Sequence, residues 1–286
     1  FEEATEYHIM VAGSLLGTYL SESYAFPVGK VNLLRVFPLD FPEFLRVMDE
    51  NIFAYFIEWN SGIEMEEIFH EKLLEYYYLY LVIGGMPECV HSWISYHDYA
   101  RVEKIQEELL LLYENDITKH NKKVNAAKIL LVYRNIVSQL AKENKKFIYG
   151  AMKPGARARE YEDAIEWLVN AGLVYRIYNI SKPEFPVRAY RELTNFKLYF
   201  LDVGLLKKMA GIGNEKLLLA ESFPFLGALT ENYVLQQIFC KYDVEPVYYS
   251  TSAKGEIDFI IQKENAVIPI EVKSANATKS TSFRNY

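Results

Sequence analysis

The stretch GEIDFIIQKENAVIPIEVKS, Gly255–Ser274, holds two short apolar runs around a polar centre. Residues 256–261 alternate, with Glu256, Asp258 and Ile260 on one face and Ile257, Phe259 and Ile261 on the other. Residues 267–273 alternate again, with Ile268, Ile270 and Val272 opposite Glu271 and Lys273. A period of two in β-branched residues predicts a strand in each run, and Gln262–Asn265 must turn the chain between them. With the turn centred between Glu264 and Asn265, Asp258 lies opposite Glu271 and Glu256 opposite Lys273. Opposed side chains on a hairpin have Cβ atoms about 5 Å apart, so two carboxylates there repel. A divalent cation offsets that repulsion, because Mg2+ takes one or two carboxylates together with water and phosphate oxygens. Lys273 stands two residues past Glu271 on the same face, placed for a phosphate or a metal-bound water. The set suits metal-assisted phosphodiester hydrolysis. The competing reading is a solvated charged hairpin face with Lys273 as its neutraliser, and a one-residue slip in register separates the two acids.

The whole chain has 286 residues, 51% of them apolar and 15% aromatic, which is length and apolar content for two or three domains. A net charge of −7 and a pI of about 5.4 exclude a surface coated in basic residues, so any nucleic-acid binding must come from a local patch. Cys89 and Cys240 have no metal-ligand spacing and point to a reducing, cytoplasmic setting. No uncharged apolar run reaches the ~18–20 residues of a membrane helix; the longest, Tyr76–Pro87, reads as a buried helix end. The 23 tyrosines are scattered and carry no function by themselves. The chain opens with Phe1 and stops at Tyr286, soon after what reads as the start of another helix, and is expected to be a fragment.

Residues 8–13, HIMVAG, read as a buried strand, and residues 28–45 as a strand followed by a proline-punctuated entry into a helix. Helices are predicted over 43–60, 64–83 and 97–115, with Gly84, Gly85 and Pro87 breaking the pattern between the last two. A helix over 124–143 is followed by one over 156–171, where Gly172 suits the C′ position. Strands over 173–180 and 196–202 come next, and helices followed by a hairpin suggest a winged helix-turn-helix. The second helix of such a fold can enter a DNA groove. Arg157 and Arg159 stand at its start, after Lys142, Lys145 and Lys146. Glu160, Glu162, Asp163 and Glu166 on that helix oppose phosphates, so packing domains together is the competing role. The last unit has a helix over 225–242 with Leu229, Tyr233, Val234 and Ile238 toward the core and Glu231 on a different face. The strand EPVYYST and the C-terminal hairpin follow, which adds Glu231 as a third carboxylate.

An acid on the first helix (Glu231), an Asp on the second strand (Asp258) and EVK on the third (271–273) together resemble the PD-(D/E)xK nuclease fold. The resemblance implies Glu231, Asp258 and Glu271 as ligands of Mg2+ and Lys273 as the fourth member of a catalytic set. Further segments, among them AGSLLG, VGKVNLLRVFPLDFPEFL, VIGGMPECV, AGLVYRIYN, KLYFLDVGLL and GALTENYVLQQIF, fall in an order similar to a prokaryotic, archaeal-type family of AAA+ ATPases. Members carry a C-terminal domain of unknown function made of a winged helix and a nuclease-like module. The resemblance covers essentially the whole chain and implies an α/β, multidomain architecture. Residues 1–37 become the end of a P-loop ATPase core, 38–115 a helical lid, 116–205 a winged helix and 206–286 a restriction-endonuclease-like domain. It implies ATP hydrolysis in the full-length protein, a homo-oligomer there, and DNA or other proteins as partners. No G-x-x-x-x-G-K-[ST] occurs here, and GSLLGT has no lysine to reach phosphates, so the ATP belongs to the full-length form. The family's sensor-1 position maps to Ser14. Its Gly-Arg finger position holds Gly29-Lys30, a point charge without the bidentate fork of arginine. GGMP resembles the Gly-x-Pro turn of signal-transduction ATPase lids, which implies that Pro87 lies near the nucleotide. The nuclease-like module implies cleavage of DNA or RNA or, in degenerate form, a protein-binding platform.

Overall fold

The computed structural model describes residues 7, 8, 10, 12–13, 32–59, 64–242, 244–251 and 255–274. Their first helix is set by Asp40, whose side chain accepts the Glu43 N–H at 2.8 Å while Glu43 Oε2 accepts the Asp40 N–H at 3.0 Å. This reciprocal cap satisfies two donors that a helix start leaves bare, and it opens α1 (Phe41–Met48). Asp49 then caps α2 (Glu50–Glu58), so the single helix expected over 43–60 is split there. Helix α3 (Glu67–Ile83) ends at Gly84, whose φ of 78° suits glycine. Pro87 is a start rather than a break: it opens α4 (Pro87–Tyr96), where its missing N–H would have had no helical partner anyway. Next come α5 (Tyr99–His120), α6 (Lys123–Leu140), the short α7 (Tyr149–Met152) and α8 (Ala158–Asn170). As expected, Gly172 closes α8: its N–H reaches Val169 O while the Leu173 N–H reaches Leu168 O, with φ 71° at the glycine.

The strands are β1 (Val174–Ile180), β2 (Arg191–Phe200), β3 (Val247–Thr251), β4 (Gly255–Lys263) and β5 (Ala266–Ile270). They form one five-stranded mixed sheet in the order β2-β1-β3-β4-β5, and with 11 α-helices among the described residues the architecture is mixed α/β. Helices α9 (Val203–Met209), α10 (Asn214–Leu218) and α11 (Leu226–Lys241) fill the connection from β2 to β3. The hairpin β1–β2 and the C-terminal hairpin β4–β5 therefore share one sheet. Their seam, between β1 and β3, is parallel and rests on one residue pair, Asn179↔Tyr248. The Asn179 side chain reinforces it: Oδ1 accepts the Ser250 N–H at 2.9 Å and Nδ2 donates to Glu192 Oε2 at 2.8 Å.

One large apolar core runs from Phe44 and Leu45 through Tyr80, Ile136 and Leu198 to Phe259, and a small second one joins Ile180, Val187, Val247, Ile257 and Ile260. Some of the many tyrosines build the large core: Tyr233 meets Phe41, Tyr77 and Tyr80 edge-on at 5.0–6.0 Å, tying α11 to α1 and α3. Helix α11 is buried on nearly every side, and its polar residues serve backbone groups. Asn232 accepts the Phe200 N–H at 2.8 Å and donates to Phe200 O at 3.1 Å, as a neighbouring strand would. Gln236 accepts the Val203 N–H at 3.0 Å and donates to Asp202 Oδ2. Asp202, fully buried, caps α9 through Leu205 N at 2.9 Å and takes the Gly85 N–H at 2.7 Å. At this junction α3 and α9 touch through glycines; a Cβ on Gly204 would lie 2.6 Å from Gly84 N.

The strands expected at 8–13 and at the start of 28–45 are not found in the part that is described; residues 9, 11 and 28–31 lie outside the described residues. His8, Met10, Ala12 and Gly13 are exposed and in no strand, and residues 32–37 run unpaired with Leu34 88% and Val36 87% exposed. An apolar run becomes a buried strand only beside a partner for its ladder bonds, and no described strand pairs with either segment. The C-terminal hairpin has the expected register, with Lys263↔Ala266 closing a turn at Glu264 and Asn265. Pro269 is tolerated because β5 is an edge strand of the sheet among the described residues. The alternation expected in β4 fails. Ile257 and Ile260 share the second core, while Phe259 and Ile261 belong to the first. The cause is a bulge: three steps on β4, Ile257 to Ile260, face two steps on β3, Tyr249 to Val247. Bulges re-aim side chains, and Asp258 sits in this one. Among the described residues no helix is long and apolar enough to cross a membrane.

Candidate functional site

The expected chemistry gathers around Asp258. Beyond Ile270 the ladder stops, and Asp258 Oδ2 accepts the Val272 N–H at 2.8 Å in place of a backbone carbonyl. The strand expected to reach residue 273 thus ends at 270, since the Asp258 side chain has taken over its pairing. Burial is the main force lifting the Asp258 carboxyl to about 7; Glu231 and Glu271 add to it, while the Val272 N–H and Lys197 oppose it. The three acids named from the sequence are therefore electrostatic neighbours.

Their oxygens are largely taken. On α11, Glu231 is buried, its Oε1 bound by Lys145 Nζ at 2.7 Å and its Oε2 by the Tyr199 hydroxyl at 3.0 Å. Glu271 Oε1 accepts Lys273 Nζ at 2.5 Å, and this bond holds the Lys273 ammonium above its usual range. Glu271 Oε2 is buried with no partner. Lys197, fully buried on β2, bonds Glu256 and lies over the Tyr248 ring. Burial, then Glu231, pushes the Tyr199 phenol well up, so it stays protonated as a donor. Among the described residues no group of three or more His, Cys, Asp or Glu side chains is arranged to hold a metal ion. Glu231 itself faces an ammonium and a phenol.

The remaining named residues fall elsewhere. Ser14 and Lys30 lie outside the described residues. Pro87 lines a cavity of about 280 Å3 with Phe37, Pro38, Met86, Tyr113 and Asp116. Arg157 and Arg159 are exposed at the start of α8, and Lys146 lies beside Glu192 of β2. Glu162 and Glu166, expected to repel phosphates, are both paired with Arg176. Lys145 turns inward to Glu231 rather than toward a nucleic acid. Tyr199 and Lys197 were missed as site residues. Their signal was present: in FKLYF, 196–200, they are the two polar-tipped side chains sharing one face of a strand.

Two families match the sequence. Residues 74–216, half of the chain, match Domain of unknown function (DUF8612). The chain belongs to the DUF8612 family. Residues 226–286 match Domain of unknown function (DUF4143). Uncharacterized protein Rv2008c of Mycobacterium tuberculosis and Uncharacterized protein Mb2031c of Mycobacterium bovis are each 32% identical over 118 residues. Those residues are 41% of this chain, which spans about a quarter (24%) of the length of either relative. No solved structure matches. The site crosses the two matched regions: Lys145, Lys197 and Tyr199 come from the DUF8612 part, and Glu231, Asp258, Glu271 and Lys273 from the DUF4143 part.

Proposed function

We propose that this chain is part of a larger AAA+-type ATP-binding protein and that its own chemistry is divalent-cation-dependent hydrolysis of a nucleic-acid phosphodiester in a PD-(D/E)xK-like module. The observation that carries the reading is Glu271 Oε2, buried without a partner beside Asp258 in a cluster whose like charges already strain each other. An unpartnered buried carboxylate oxygen is costly unless something binds it. Asp258 and Glu271 would hold Mg2+, with Glu231 joining when its donors leave. When bound, the cation supplies Lewis-acid polarisation of the phosphate. Lys273, 40% exposed at its side chain, is free to swing from Glu271 onto a phosphate oxygen. The AAA+ part of the reading is supported by the second matched family, a domain often found with AAA ATPase domains. The cavity at Pro87 is mostly apolar with one carboxylate, which suits the face of a heterocycle and not a polyphosphate.

The test is cleavage of labelled single- and double-stranded DNA and RNA in Mn2+ or Mg2+. The wild-type chain should cut at least one of them, and Asp258→Ala should cut about 100-fold slower or worse. Equal cleavage by both proteins, or none by either, overturns the assignment. Mg-ATP titrated calorimetrically into this chain should bind more weakly than micromolar; micromolar affinity contradicts the placement of the phosphate cradle elsewhere in the protein.

One observation favours a second reading, a degenerate nuclease fold that serves as a protein-binding platform: both Glu231 oxygens are engaged by protein donors. Absence of Mn2+ at Asp258 and Glu271 after soaking crystals at high concentration selects it.

A further inference from the structure

Lys145 is an unusual partner for Glu231. It lies 86 residues away, on the turn between α6 and α7, whereas the acids sit on α11 and the C-terminal hairpin. Its side chain is only 16% exposed, although ammonium groups normally stay in water. Its backbone has φ 50°, a left-handed conformation that costs a lysine about 1 kcal/mol and that glycine or asparagine adopts freely. The turn is therefore held in a strained form with a charge directed inward. Three of the acids around it each have a cation: Lys145 sits on Glu231, Lys273 on Glu271 and Lys197 on Glu256. Of these cations only Lys145 belongs neither to the sheet nor to the segment continuing it.

We infer that Lys145 is a resident counter-cation of the acidic cluster, and that a divalent cation binds there by displacing it. The inference rests on the metal-site reading above and concerns its regulation. Once the ammonium leaves, Glu231 Oε1 joins the unpartnered Glu271 Oε2 as a free acceptor in one acidic cluster. Linkage makes the exchange reciprocal: whatever seats the 141–148 turn weakens cation binding, and cation binding unseats the turn by the same factor. The helical unit that carries this turn thereby gates the acids of the C-terminal module.

The test is Mn2+ titrated calorimetrically into the chain and into Lys145→Gly and Lys145→Asn. Both substitutions suit the left-handed turn, which offsets part of the cost of losing the Lys145–Glu231 pair, and a thermal melt verifies that the variants are folded. Removing the ammonium should tighten Mn2+ binding about tenfold, within the usual range of coupling between sites. Lys145→Arg, which keeps the charge, should stay near the wild-type affinity. Equal or weaker binding in the Gly and Asn variants overturns the exchange and leaves the cation site standing. No saturable binding in any of the proteins removes the cation site itself, and the exchange with it.

Discussion

Asp258→Asn should make the protein more stable at pH 8 and leave it almost unchanged at pH 4. In the native state the Asp258 carboxyl titrates at about 7, raised first by burial and then by Glu231. Unfolded, it titrates near its ordinary value of about 3.9. Between those values the unfolded chain has lost a proton that the native chain keeps, so stability falls as pH rises from about 4 to about 7. The difference between about 3.9 and about 7 corresponds to at most about 4 kcal/mol. The group is only partly buried, and solvent screening reduces the expected gain to about 2 kcal/mol. Asparagine removes the charge and keeps an oxygen for the Val272 N–H. Urea unfolding in EDTA at the two pH values measures the effect. A less stable variant at pH 8 would show that the carboxylate is not under the electrostatic stress described.

The second large effect is expected at Asp202, away from the candidate site. Asp202→Ala strips acceptors from the Gly85 N–H, the Leu205 N–H and the Gln236 amide at once. Each donor left bare in a dry interior costs about 1–3 kcal/mol, and the α9 cap is lost as well. A loss of about 4 kcal/mol follows, a large share of a typical domain's stability. Asp202→Asn should fall between, since its oxygen still caps α9 while its NH2 faces a donor. A loss below about 1 kcal/mol on Ala substitution, read from urea midpoints, would falsify the view that this carboxylate locks α3, α9 and α11 together.

The elements whose local chemistry is strong were readable from the sequence. Gly172 ends α8 as expected, and the hairpin register follows from a polar turn between two alternating runs. Asp258, Glu231 and Glu271 were named together and stand as electrostatic neighbours. What escaped depends on partners far along the chain. The bulge that re-aims Asp258 is imposed by pairing with β3, and no residue in 256–261 marks it. Lys145 and Tyr199 reach Glu231 from 86 and 32 residues away, distances over which periodicity says nothing. Residues 32–37 carry strand propensity, but propensity does not supply a neighbour, and no described strand lies beside them. Asn232 and Gln236, polar residues of α11, are buried because β2 and α9 leave backbone donors for them to meet.

The seam at Asn179 bears on how this protein can be divided. A cut after residue 216, where the DUF8612 match ends, runs through the sheet's connectivity instead of around it. The excised piece would carry β1 with a bare rim and Phe200 without the carboxamide that serves both its backbone atoms. Naked strand rims are templates for self-association. The unit of inheritance seen in sequence is thus smaller than the unit that folds, and a gene fragment shuffled at that border would export a sticky half rather than a working part.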